Sequence, residues 1–149
     1  MSTAQCIPKT ELARNTRQVI DRVLRGQPAV VESYGQPEVA IIDISDYYIV
    51  RAVMLYYAHQ LEIDPETGLP GQEVEAISDY QERFDLVLAH YLAGAISLGR
   101  AAELLDLSWL DLRTRCLRLD VPLRVGPTDT EEAQADIEVA ETWATVSQP

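Results

Sequence analysis

The spacing of hydrophobic positions changes several times along this chain, and each change predicts an element. Residues 6–10 can form a short strand. Leu12, Val19, Val23 and Leu24 then recur at helical spacing, with Arg14, Arg17, Arg22 and Arg25 on the other sides. Gly26 follows, where a helix C-terminus often takes positive φ. Residues 29–34 read as a strand, Gly35, Gln36 and Pro37 turn the chain, and residues 38–44 return as a second strand. The run 39–42 is apolar on both faces, which predicts a buried strand rather than an edge.

Ser45 or Asp46 is expected to cap a helix reaching about Leu61. That helix is apolar on all sides, with Tyr47, Tyr48, Ile49, Val50, Val53, Met54, Leu55, Tyr56 and Tyr57. A helix of this kind must be covered on all sides. A unit of about sixty residues buries too little surface to do this alone, so a partner or a second copy of the chain should cover the rest. Val39, Ile41, Tyr47, Val50, Met54 and Tyr57 are the candidate interface residues.

Residues 63–79 hold Asp64-Pro65, Gly68 and Pro70-Gly71 among acidic residues and read as a linker. Helical spacing resumes with Tyr80, Phe84, Val87, Leu88, Tyr91 and Leu92, ending near Gly94. Ser97 caps a second helix with Leu98, Ala101, Ala102 and Leu105 facing inward, and Ser108 opens a third in capping-box form. The tight turn at Asp106-Leu107-Ser108 makes a helix-turn-helix plausible within residues 80–126. In the tail, residues 127–149, Ile137, Val139, Ala140, Trp143 and Val146 fit one amphipathic helix, weak when alone. The expected fold class is therefore α+β: a small α/β unit (1–62), an acidic linker (63–79), an all-α helix-turn-helix-like unit (80–126) and an acidic tail.

Charge sharpens this division. The 149 residues carry a net charge of −12, yet residues 1–60 balance six basic against six acidic residues. Residues 61–82 hold seven acids and 127–149 hold six, with no base in either stretch. The excess therefore sits outside the folded-looking segments, and a local basic patch survives despite the low pI. Arg14, Asn15, Arg17 and Gln18 cluster just after Lys9 and Thr10, where side chains can bridge phosphates and read base edges. The same pattern also describes a solvated helix face, and spacing alone leaves both readings open. The acidic tail is open in the same way, as solvated chain or as a segment that binds a basic groove with Trp143 as anchor.

Other classes of function recede. Neither His59 nor His90 stands in a catalytic or metal-ligand pattern, and no GxGxxG, GxxxxGK[ST], GxSxG or HExxH occurs. Cys6 and Cys116 lack metal spacing and read as reduced thiols. No enzyme activity, cofactor or metal is expected. No apolar run reaches membrane-spanning or signal-peptide length, which predicts a cytoplasmic chain without membrane contact.

Two resemblances add to this reading. Ala13-Arg14-Asn15, the run from Val19 to Gly26, Pro28-Ala29-Val30-Val31, Tyr34-Gly35-Gln36-Pro37, Val39-Ala40-Ile41-Ile42 and Asp46-Tyr47 resemble the Phd/YefM antitoxins of bacterial type II toxin–antitoxin pairs. That resemblance implies a homodimer whose N-terminal strand and first helix contact operator DNA, here through Thr3, Lys9, Thr10, Arg14, Asn15 and Arg17. It also implies a toxin-gripping segment beyond the second helix. The run from Tyr91 to Leu105, then Leu107-Ser108-Trp109 and Leu119-Asp120-Val121-Pro122-Leu123, resembles small helix-turn-helix proteins encoded beside PIN-domain genes. That family usually has glycine where this chain has Asp106, and aspartate tolerates the left-handed geometry better than most residues. The expected function is an antitoxin that represses its own operon. It would neutralise a toxin, a PIN-domain ribonuclease being favoured, through Arg113, Glu131, Glu132, Asp136 and Trp143. The alternative is a stand-alone dimeric regulator without a toxin.

Overall fold

A computed structural model describes residues 4–123 of the protein. The chain is α+β. Among the described residues the order is β1 (Gln5–Pro8), α1 (Lys9–Arg14), α2 (Thr16–Leu24), β2 (Ala29–Ser33), β3 (Gln36–Ile41), α3 (Ile44–His59), α4 (Gly71–Glu75), α5 (Tyr80–Leu92), α6 (Leu98–Leu104) and α7 (Trp109–Arg118). The chain divides into two compact units between Tyr47 and Tyr48, within α3, rather than after residue 62. The reason is that Ile49 and Ala52 of α3 are buried in the helical core with α5, α6 and α7.

In the first unit β1 runs parallel to β2, and β2 pairs antiparallel with β3, in the order β1-β2-β3. Ile7, Val19, Val23, Ala29 and Val31 form its core, with Leu12 and Ile41 packed against them. Lys9 and Thr10 belong to α1, because the strand stops at Pro8. The single helix expected next is two helices, broken at Asn15 (φ −123°, ψ 37°). Just past the break the Thr16 hydroxyl donates to the Leu12 carbonyl at 2.6 Å, a local bond of the kind Ser and Thr offer in competition with the helix ladder. Leu24, expected inward, is exposed at the end of α2. There Gly26 takes φ 96°, its N–H bonding Val23 O while Gln27 N–H reaches Arg22 O, closing the helix in a Schellman motif.

The hairpin turns at Tyr34-Gly35 and not at Gly35-Gln36-Pro37. Both turn residues are left-handed, with φ 51° and 75°, the geometry of a two-residue type I′ turn. Gln36 and Pro37 already lie in β3. Val31 faces Val39 but Glu32 faces Pro37, so Glu38 is an extra residue at a β-bulge. The strand expected to be buried is an edge instead: residues 36–40 are exposed, because β2 occupies the middle of the sheet. Asp43, rather than Ser45 or Asp46, caps α3, accepting the backbone N–H of Ser45 at 2.9 Å and of Asp46 at 3.3 Å.

In the second unit, Ile49, Ala52, Phe84, Val87, Leu88, Tyr91, Leu98, Ala101, Ala102, Leu112 and Cys116 lead a single core. The Tyr48 ring lies tilted 5.3 Å from Phe84 and stacked 6.4 Å from Tyr80. Residues 63–79, read above as a linker, contain α4 and give Leu69 and Val74 to that core. The Arg83 guanidinium pins the segment from the other side by donating to the carbonyls of Ile77 and Glu75. Asp79, Ser97 and Ser108 cap α5, α6 and α7, each side chain accepting a backbone N–H at 3.0 Å. These bonds satisfy N–H groups that a helix start otherwise leaves open. The α6–α7 turn places Asp106 at φ 55°, as its sequence position predicts, and Asp120 after α7 also has φ 55°. Each takes the place of a left-handed glycine: Leu107 N–H bonds Ala102 O and Val121 N–H bonds Cys116 O, both at 2.9 Å.

Candidate functional site

The arginine cluster lies at the corner between α1 and α2. Lys9, Thr10, Arg14, Asn15 and Arg17 are all exposed, whereas Thr3 lies outside the described residues. Lys9 Nζ is committed, 2.5 Å from Glu38 Oε2. Arg22 donates to Gln5 Oε1 at 3.4 Å, and Arg25 Nε to the Asp21 carbonyl at 3.3 Å. The buried Gln5 amide in turn donates to Val19 O and Gln27 O, so Arg22 belongs to a bond set that ties β1 to α2. Among the described residues, the Arg14 and Arg17 side chains join no ion pair or hydrogen bond.

The break at Asn15 turns this corner into a helix start. α2 begins at Thr16 with no side-chain cap and no acid in its first turn, and Arg17 stands in that turn. A cation at the positive end of a helix is unfavourable by about 0.3–1 kcal/mol, whereas an anion there is favoured by a similar amount. The corner thus combines two uncommitted guanidinium groups, an exposed Asn15 amide and open backbone N–H groups. Together these are suited to a phosphate oxygen and a neighbouring base edge.

No family model, curated protein or solved structure matches this chain.

The residues expected at a partner interface are placed as follows. In the first unit Val39 and Ile41 lie two apart on β3, Val39 exposed and Ile41 half-buried, and Tyr47 is exposed on α3. In the second unit Val50 is half-buried, while Met54 and Tyr57 are 62% and 54% exposed. Val50, Met54 and Tyr57 follow one another at i, i+4 and i+7, on the side of α3 away from Ile49 and Ala52. Tyr57 meets Tyr56 edge to face at 5.1 Å. Beside them a shallow groove of about 380 Å³ is lined by Arg51, Met54, Leu55, Ala58, His59 and Asp85.

Arg113 is exposed on α7, its guanidinium 5.6 Å from the centre of the Trp109 ring. Glu131, Glu132, Asp136 and Trp143, the other residues expected to meet a toxin, lie outside the described residues. The sequence reading missed Leu110 and Leu117, which are 56% and 53% exposed on α7. Their signal is the seven-residue spacing, out of phase with the buried Leu112 and Cys116. No group of three or more His, Cys, Asp or Glu among the described residues is placed to hold a metal ion. None of the described helices is long and apolar enough to cross a membrane.

Proposed function

We propose that this chain is an antitoxin. It pairs as a homodimer through residues 1–62, contacts operator DNA with Lys9, Thr10, Arg14, Asn15 and Arg17, and neutralises a toxin with segments further along. The observation that carries the DNA reading is the uncommitted Arg14–Arg17 corner at an acid-free helix start. The exposed apolar residues Met54 and Tyr57 support a paired chain, since solvated tyrosine and methionine on one helix face are what a second copy covers. A two-fold dimer would present the corner twice, matching the symmetry of an operator.

The toxin favoured by the second resemblance is a PIN-domain ribonuclease, whose site must hold metal and RNA phosphates. Arg113 and the acids Glu131, Glu132 and Asp136 are suited to occupy or distort such a site sterically and electrostatically. Co-expression with the neighbouring reading frame tests this. The frame alone should arrest growth and this chain should restore it; a harmless neighbour overturns the antitoxin reading in favour of a stand-alone dimeric regulator. Arg14→Ala tests the DNA surface separately. If each copy loses one phosphate contact, the slope of log affinity against log salt should fall by roughly 2 units per dimer. Unchanged affinity and slope at matched salt would refute that surface.

A further inference from the structure

The outward face of α7 is the wrong kind of surface for DNA. Leu110, Arg113, Thr114 and Leu117 occupy positions i, i+3, i+4 and i+7, which form one face. Both leucines are more than half exposed. The Thr114 hydroxyl donates to the Leu110 carbonyl at 2.8 Å, so its proton is not available to a phosphate. Arg115 is turned aside, its Nε 3.1 Å from Asp111 Oδ1. What remains is an apolar strip flanked by Arg113, set beside Trp109, and at i+8 by the half-buried Arg118. Such a strip fits a polypeptide that brings apolar side chains and negative charge together.

The chain itself supplies one. After α7 comes the left-handed Asp120, and Val121 is buried in the core of the same unit with Leu123 packed against it. The rest of the chain, residues 124–149, continues from Leu123. From 127 onward it holds six acids and no Lys or Arg, with Ile137, Val139, Trp143 and Val146 among them. The ten residues of α7 span about 15 Å at 1.5 Å per residue. An extended chain covers about 3.3 Å per residue, so fewer than half of residues 124–149 suffice to run back along the helix.

We propose that residues 127–149 dock in cis on this face of α7, with Trp143 covering Leu110 and Leu117 and the acids facing Arg113. The docked tail covers this strip in the unbound chain. An external partner must then displace the tail or take both together.

The test uses the full chain labelled with ¹⁵N, in which Trp109 and Trp143 are the only tryptophans. The Trp143 indole N–H resonance should sit away from its position in urea, at a shift independent of protein concentration. In the doubly substituted Leu110→Glu, Leu117→Glu chain it should move to the urea position, while the amide spectrum of α5 and α6 stays native. Both leucines are exposed, so the substitutions leave the core intact. A Trp143 resonance already at its urea position in the unaltered chain overturns the proposal. So does one that the double substitution leaves in place. A shift that grows with concentration assigns the strip to a second copy and also overturns docking in cis.

Discussion

Replacing Val74 by Ala should weaken the helical unit, although its position within an acidic, proline-punctuated stretch suggests a tolerant linker. Val74 is 1% exposed in α4 and belongs to the same buried cluster as Tyr91 and Leu112. The substitution removes two methyl groups, worth about 1.6 kcal/mol at roughly 0.8 kcal/mol per buried carbon. Incomplete relaxation around the gap adds a cavity cost, and settling of a short helix offsets part of it, so the net loss should be about 2 kcal/mol. With a urea dependence of about 2 kcal/mol per molar, the unfolding midpoint falls by about 1 M. Urea titration of the full chain, followed by circular dichroism at 222 nm, reads this directly. Glu75→Ala, at the exposed neighbouring position, should stay within about 0.5 kcal/mol of the parent chain. If the two variants unfold together, residues 63–79 are not part of the core and the reasoning fails.

Tyr34→Asn should stabilise the first unit by about 1 kcal/mol, because Asn tolerates the left-handed region better than a bulky aromatic. The Tyr34 side chain, at 102% exposure, has no packing to lose. A thermal midpoint that stays level or falls would contradict the assigned turn. Met54→Glu should leave the helical signal unchanged and shift the chain from dimer to monomer in light scattering after size exclusion. A dimer that persists at micromolar concentration would remove this face of α3 from the proposed interface.

The elements legible in the sequence were those whose local chemistry decides them. Ser97 and Ser108 cap helices because a serine ahead of a helical run has a nearby N–H to accept. Asp106 is left-handed because a tight helix–helix connection requires it. Several misplacements share one cause, the dependence of a residue on distant neighbours, while Asp43 is an exception whose partners lie only two and three residues on. An apolar run from Val39 to Ile42 suits a central strand, but β2 takes the centre. Val74 stands among polar residues, yet it meets a core assembled mainly by α3, α5, α6 and α7. Asp43 was read as the end of a strand, although its carboxylate already serves the helix that follows. The arginine corner was legible as composition, while the structure distinguished Arg14 and Arg17 from Lys9, Arg22 and Arg25, whose partners lie up to 29 residues away.

The bulge on β3 also bears on how newly made chains meet one another. An open strand edge invites the backbone of a neighbouring molecule to add to it and continue the sheet without limit. Here Pro37 lacks an N–H, Glu38 interrupts the regular ladder, and its carboxylate is drawn to Lys9. These irregularities make the edge a poor template for strand addition. Crowded on a ribosome cluster, sister chains would find little there to propagate a fibre.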